Sequence, residues 1–210
     1  MTGKFITFEG IDGAGKSSHI DAAKAFLSDR GISVRTTREP GGTVLGERIR
    51  ALFLENSMSP HTEALLVFAA RREHLERVVW PALEAGSWVL CDRFTDASFA
   101  YQGGGRELGA GVIAKLAEWV HPKFRPDLTL LFDLPPDAAK ARVDGRGVVD
   151  RIEQESAAFH TRVREAYLSR AENEPARIHV FDTRASLTTV REQVLASIAA
   201  LVDHTARGRS

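Results

Sequence analysis

The chain has a single cysteine, Cys91, so no disulfide can form within it, and a reducing cytoplasm is the expected setting. Its neighbours make it a buried strand thiol. Net charge is absent as well: lysine plus arginine and aspartate plus glutamate both number 28. Without a field of one sign, nothing draws the protein to nucleic acid or an anionic membrane, and any phosphate affinity must be local. No run of about 18 apolar residues exists to span a bilayer. The first residues pass directly into a strand pattern rather than through a charged and then apolar leader, so neither secretion nor insertion is expected. Repeats and low-complexity linkers are missing too. At 210 residues the chain suffices for one well-packed domain and not for two generous ones. A single domain over 1–206 is expected, with 207–210 as a frayed end.

What is present begins with Gly10-Ile11-Asp12-Gly13-Ala14-Gly15-Lys16-Ser17, which fits G-x-x-x-x-G-K-[ST] and follows the apolar run Phe5-Ile6-Thr7-Phe8. Strand, glycine loop and helix therefore come in the order a phosphate cradle needs. A polyphosphate packs several charges into a small volume and calls for inward-pointing backbone N–H groups, which small residues allow to approach. In such a loop Lys16 reaches the β- and γ-phosphates, and the Ser17 hydroxyl enters the shell of a phosphate-bound Mg²⁺. The helix from about Ser17 to Ser28 aims its positive end at the anion. A dinucleotide fingerprint fails, because G-x-G-x-x-G begun at Gly13 requires glycine where Ser18 stands.

Strand and helix patterns alternate along the rest. Ile32 to Thr37 reads as a strand ending in the shaped loop Arg38-Glu39-Pro40-Gly41-Gly42-Thr43, with Thr43 able to cap the helix that follows. A long helical pattern runs from His61 to about Ala85, with Pro81 expected to kink it or begin a new turn. Phe68 lies one turn from Arg71 or Arg72, so an aromatic face and a guanidinium can point into one cleft, although taken alone the pattern reads first as a core aromatic with arginines on a solvated face. Ser87 to Cys91 is an apolar strand terminating in Asp92, where a Mg²⁺-linked carboxylate belongs in a chain with a phosphate loop; a plain loop cap is the alternative. The triple glycine of Tyr101-Gln102-Gly103-Gly104-Gly105 is expected to end the segment before it. Helices at 112–120, 153–170 and 187–202 and strands at 127–134 and 177–182 complete the pattern. The stretch 142–153 is rich in arginine and glycine and poor in apolar anchors, which suits a lid closing over phosphates. Strands alternating with helices predict an α/β fold with a parallel sheet covered on both faces.

A phosphate loop alone does not separate a motor, a switch and a kinase. The Asn-Lys-x-Asp base motif of GTPases is missing, and the charge balance argues against a nucleic-acid-driven ATPase. A small kinase with a lid remains, beside two alternatives: a kinase for a deoxynucleoside or another monophosphate, and a nucleotide-binding switch.

Taken together, Phe8-Glu9-Gly10 to Ser17, the Arg38 to Thr43 loop, Phe68-Ala69-Ala70-Arg71-Arg72-Glu73-His74-Leu75, Asp92-Arg93-Phe94, Tyr101 to Gly105 and Asp150-Arg151-Ile152-Glu153 resemble the bacterial thymidylate kinases. The resemblance implies the three-layer P-loop NTPase fold, with a five-stranded parallel sheet in the order 2-3-1-4-5 and a short lid. It implies γ-phosphoryl transfer from ATP to dTMP, with Mg²⁺ held at Ser17 and Asp92, and a homodimer. ATP would be bound by Gly10 to Ser18 and Arg142. The dTMP site would be built from Glu9, Asp12, Arg38, Pro40, Arg50, Phe68, Arg71, Arg93, Ser98, Tyr101 and Gln102. Asp12 matches the residue that holds the sugar 3′-hydroxyl, Arg93 the one on the acceptor phosphate, and Pro40 a position often cis. Phe68 is favoured over Val67 as the aromatic that stacks on thymine. Because the phosphate loop lacks an arginine while the lid offers Arg142, Arg146 and Arg151, the lid-arginine type is implied. Lys16, Arg93 and Arg146 would then be catalytic.

Overall fold

The computed structural model describes residues 3–143 and 150–207. Five parallel strands form one sheet in the order β2-β3-β1-β4-β5: β1 Phe5–Glu9, β2 Val34–Arg38, β3 Trp88–Asp92, β4 Leu128–Asp133 and β5 Ile178–Asp182. The central strand β1 is buried along its whole length, which explains why it reads as a continuous apolar run. Its side chains alternate between two cores. Phe8 stacks on Phe132, which in turn stacks on His19 of α1 (Lys16–Ser28). On the opposite face Phe5 packs edge-on against Phe94, and Thr7 and Thr129 share a hydrogen bond of 2.8 Å.

Helix α2 (Val44–Glu55) is capped by Thr43, whose hydroxyl accepts from the Gly46 N–H as its sequence position predicts. Helix α3 (Pro60–His74) begins with Ser59 as cap and proline in the first turn. It passes through a π-helical turn, Leu75–Val79, into α4 (Trp80–Glu84). The widened turn falls just before Pro81, which lacks an N–H and would collide with the carbonyl four residues back in a regular helix.

After α5 (Thr95–Ser98) a π-helical segment, Phe99–Gly105, runs straight through the three glycines. The segment closes at Gly105, so the triple glycine does end it, from within its last turn. They are there for close approach: a Cβ on Gly105 would lie 2.5 Å from Phe159 Cε2, and one on Gly104 2.7 Å from the Ala166 Cβ. Both contacts are with α8 (Ala157–Asn173). Helices α6 (Ala110–Val120) and α7 (Pro136–Val143) precede it, and α9 (Leu187–Arg207) closes the chain. Thus Arg207, expected in a frayed end, is the last residue of a helix. Helices α1 and α9 pack together on one face of the sheet, and α8 covers the other with the π-helical segment. The carboxyl ends of β1, β3 and β4 meet at one edge, where the phosphate loop begins. Cys91 is buried in β3, as read from sequence.

Candidate active site

The loop from Gly10 to Gly15 is shaped by glycines at positive φ. Gly10 has φ 130° and a Cβ there would sit 2.4 Å from the Phe132 carbonyl oxygen; Gly15, the residue before α1, has φ 91°. Lys16 is buried and donates to the carbonyls of Gly10 (3.1 Å) and Ile11 (3.3 Å), so it lies folded over its own loop. Burial, and next the charge of Arg93, lower its pKa. Ser17 and Ser18 stand exposed in the first turn of α1. Arg142 reaches the same loop from α7, donating to the Gly13 carbonyl at 3.4 Å and the Thr183 carbonyl at 2.9 Å. Arg146 lies outside the described residues.

Beside the loop opens a cavity of about 200 Å³. Asp12, Pro40, Arg50, Arg71, Arg93, Ser98, Tyr101 and Gln102 all line it, so most of the residues assigned to the acceptor meet in one space. The Glu39–Pro40 peptide is cis. Arg93 follows β3 with φ 71°, stacks on the Tyr101 ring at 4.8 Å, and donates to Asp12 Oδ1 at 2.7 Å. Burial would raise the Asp12 carboxyl, but the Arg93 and Lys16 charges outweigh it and hold the group ionised well below its ordinary range. Arg50 donates to the Pro40 carbonyl at 3.1 Å. Among the described residues, Arg71 Nη1 and the Tyr101 hydroxyl, both in the lining, are buried without a partner. Buried polar groups are seldom left unpaired, so these mark where a ligand would bond.

Three expected ligand contacts fall elsewhere. Phe68 does not line the cavity; Val67 does. The Phe68 ring lies in a separate cluster with Ile113 and Val120, and the Arg71 guanidinium sits 4.5 Å over its face. Residues four apart share a helix face, so the pair to follow was Val67 with Arg71, and Phe68 backs the arginine instead. Glu9 is buried behind the lining, one carboxylate oxygen accepting from the Phe94 N–H and the other from the Tyr167 O–H, both at 2.7 Å. Arg38 turns away to a two-point ion pair with Glu47.

Asp92 ends β3 with its Oδ1 buried and, among the described residues, without a hydrogen-bond partner. The carboxylate oxygen of Asp92 and the exposed hydroxyl of Ser17 are both hard oxygen donors, the kind Mg²⁺ takes together with phosphate oxygens.

Sequence reasoning assigned no role to Glu39, Glu63 or Tyr167. Glu63 is fully buried and accepts from Gln102, Arg106 and Arg151. The lid-side Arg151 is therefore committed to a carboxylate on α3 and to the Phe53 carbonyl. A signal existed: Glu63, Val67 and Arg71 recur every four residues, a charged–apolar–charged row on the inward face of α3. Tyr167 carried none, because nothing in its own helix pattern sets it apart from a core tyrosine.

A parallel sheet with a phosphate loop at its carboxyl edge, flanked by a cavity carrying arginines and unpaired hydrogen-bonding groups, defines a P-loop nucleotide kinase. A family model for thymidylate kinase matches residues 8–194. The thymidylate kinase of Janthinobacterium sp. (strain Marseille) is 54% identical over 200 residues, covering 95% of this chain and 98% of the relative. That of Nitrosomonas europaea is 54% identical over 194 residues, covering 91% and 90%. The crystal structure of thymidylate kinase from Ehrlichia chaffeensis superposes with a TM-score of 0.77 at 32% identity, covering 95% of this chain and 99% of that one. The chain belongs to the thymidylate kinase family.

Proposed function

We propose that the protein transfers the γ-phosphoryl group of ATP to dTMP, giving dTDP and ADP, a step towards dTTP. The observation that carries this is the union of a phosphate loop with an adjoining cavity whose unpaired Arg71 and Tyr101 groups await a polar, flat ligand. The acceptor phosphate, with a second pKa of about 6, is already anionic at neutral pH, so no strong base is required. The barrier is the mutual repulsion of two anions brought end to end. Lys16 on the donor side and Arg93 facing the cavity supply fixed positive charge against it, joined in our reading by Arg146. Asp12 orients Arg93 and, beyond it, the sugar hydroxyl; Arg50 lies beside the acceptor phosphate. Mg²⁺, held by Ser17 and Asp92, would offset the charge on the donor's phosphates when bound.

We also place the protein in the cytoplasm as a homodimer. Leu65 on α3 and Trp119 on α6 are exposed apolar side chains, 55% and 80% accessible, on helices that pack against each other, and a second copy would cover them. A coupled ADP-release assay with dTMP, dUMP, thymidine, AMP and GMP tests the assignment. Release should rise at least about tenfold with dTMP over the acceptor-free rate. Preference for another acceptor would reassign the substrate, and turnover indifferent to every acceptor would make the protein a switch.

A further inference from the structure

Arg93 is followed by a segment that cannot hold its own shape. Helix α5 is only four residues long and, among the described residues, no side chain caps its start. A single turn is unstable without tertiary support. Upstream, the Arg93 N–H donates to the Phe8 carbonyl at 3.0 Å, which ties the residue to β1. Downstream, Ala97 and Ser98 line the acceptor cavity, whereas Asp96 lines a second cavity of about 540 Å³, with Phe94 common to both walls.

Asp96 is almost wholly excluded from water and is gripped by two arginines. Arg177 donates to both carboxylate oxygens, Nη1 to Oδ2 at 2.7 Å and Nη2 to Oδ1 at 3.1 Å, and Arg170 Nε donates to Oδ1 at 3.1 Å. The arginines are fixed in turn. Glu174 accepts from both, from Arg177 Nε at 2.7 Å and from Arg170 Nη2, and the Arg170 guanidinium lies 4.3 Å over the Phe99 ring. Arg177 Nη1 also donates to the Thr129 hydroxyl at 2.7 Å, and the Arg177 carbonyl accepts from the Thr129 N–H at 2.8 Å, so the grip is anchored to β4. Burial alone would raise the Asp96 carboxyl, but the bonds and charges of Arg177 and Arg170 outweigh it and hold the group below its usual range. Thr95 adds a bond of 2.9 Å from its hydroxyl to His121 Nε2.

We propose that Asp96 is a positioning residue for phosphoryl transfer: seated on Arg177 and Arg170, it fixes the turn that carries Arg93, so that the Arg93 guanidinium keeps its place over Tyr101 and against Asp12. The left-handed backbone at Arg93 is a conformation the chain would leave if the segment after it came loose. Neutralising Asp96 leaves the two arginines with one counter-ion fewer in a buried site, and α5 loses its charged anchor. A charged group displaced by about 1 Å from a reacting centre loses up to about 100-fold in rate. The proposal rests on the dTMP reading above, and it assigns Asp96 no contact with substrate.

The test uses the full chain, with rates expressed per folded molecule from urea unfolding curves. Asp96→Asn keeps the shape and removes the charge; Arg177→Lys keeps the charge and removes the two-point grip. Each is made alone and together with Arg93→Ala, so that a double-mutant cycle reads whether the effect passes through Arg93. Asp96→Asn should lower kcat/KM for dTMP at least about tenfold and Arg177→Lys at least about fivefold, with KM for ATP within about twofold of wild type in both. In the Arg93→Ala background each should change kcat/KM for dTMP less than about twofold, because the group being positioned is gone. A merely structural role would lower both backgrounds by the same factor. If Asp96→Asn does not fold, Arg177→Lys decides by the same cycle. Equal losses in the two backgrounds, or a folded Asp96→Asn whose kcat/KM for dTMP stays within about twofold of wild type, overturn the positioning role. Wild-type protein that fails to phosphorylate dTMP overturns the functional reading and the positioning role with it.

Discussion

Arg93 Nη2 donates to Asp12 Oδ1 across 2.7 Å, tying the residue after β3 to the middle of the phosphate loop. Arg93 does so from a left-handed backbone, φ 71°, which side chains other than glycine adopt at a cost of about 1–2 kcal/mol. The strained conformation carries the guanidinium over Tyr101 and into the cavity beside the phosphate loop.

A paired substitution separates that strain from the chemistry. Arg93→Ala and Arg93→Gly both delete the guanidinium, and each should lower kcat/KM for dTMP by about 100-fold or more. Only glycine relieves the backbone. The glycine variant should therefore be the more stable of the two by about 1 kcal/mol in urea unfolding. Equal stabilities would show that the backbone there is not strained.

The glycines of the π-helical segment make a prediction about packing. In Gly105→Ala the new methyl would meet Phe159 Cε2 at 2.5 Å and Val163 Cγ2 at 2.8 Å, both within the buried seam against α8. Overpacking of this kind costs about 1–3 kcal/mol. Gly111→Ala on α6 is the control, since nothing lies within 4 Å of its Cβ and the helix favours alanine; it should stabilise by about 0.4–1 kcal/mol. Chemical denaturation of the two variants reads both signs.

Such glycines show which parts of the molecule were legible in the chain. Period and loop chemistry are local, so β1, the phosphate loop, the Thr43 cap and the buried strands were all visible, and the family resemblance supplied the strand order. A glycine that is needed for a neighbour 50 residues on looks the same as a glycine that ends a helix. For Gly104 and Gly105 only the arrival of α8 decides between them. The acceptor site was legible as a list and not as a geometry: Glu9, Arg38 and Phe68 belong to the right motifs yet point to Tyr167, Glu47 and Arg71. Buried carboxylates such as Glu39 and Glu63 were hidden for the same reason, their cations coming from distant elements.

Arg146 is assigned to the charge that develops during transfer and not to acceptor binding. Arg146→Ala should then lower kcat by about 100-fold while KM for dTMP changes less than about threefold. Steady-state kinetics with dTMP varied at saturating ATP distinguishes the two. Equal losses in kcat and in dTMP affinity would place Arg146 in binding.

The Glu9 carboxyl is pushed up to about 7 from its ordinary 4.5, chiefly by burial and then by the negative charge of Asp96, against the opposing bonds from Tyr167 and Phe94. Below pH 4.5 the group is protonated in the folded and unfolded chain alike and carries no penalty. Between 4.5 and 7 the unfolded chain gives up the proton while the folded one keeps it, so the folded state binds more protons and its stability falls as pH rises through that window. Above 7 the loss is complete, at about 3 kcal/mol. Glu9→Gln cannot ionise; its oxygen can still accept from the Phe94 N–H, and its amide can donate to the Tyr167 oxygen. The variant's melting temperature, measured relative to wild type by circular dichroism, should therefore climb by roughly 6–12 °C between pH 4.5 and 8. A difference that stays level across that range would mean Glu9 is ionised in the folded protein throughout, with Arg93 outweighing the cost of its burial.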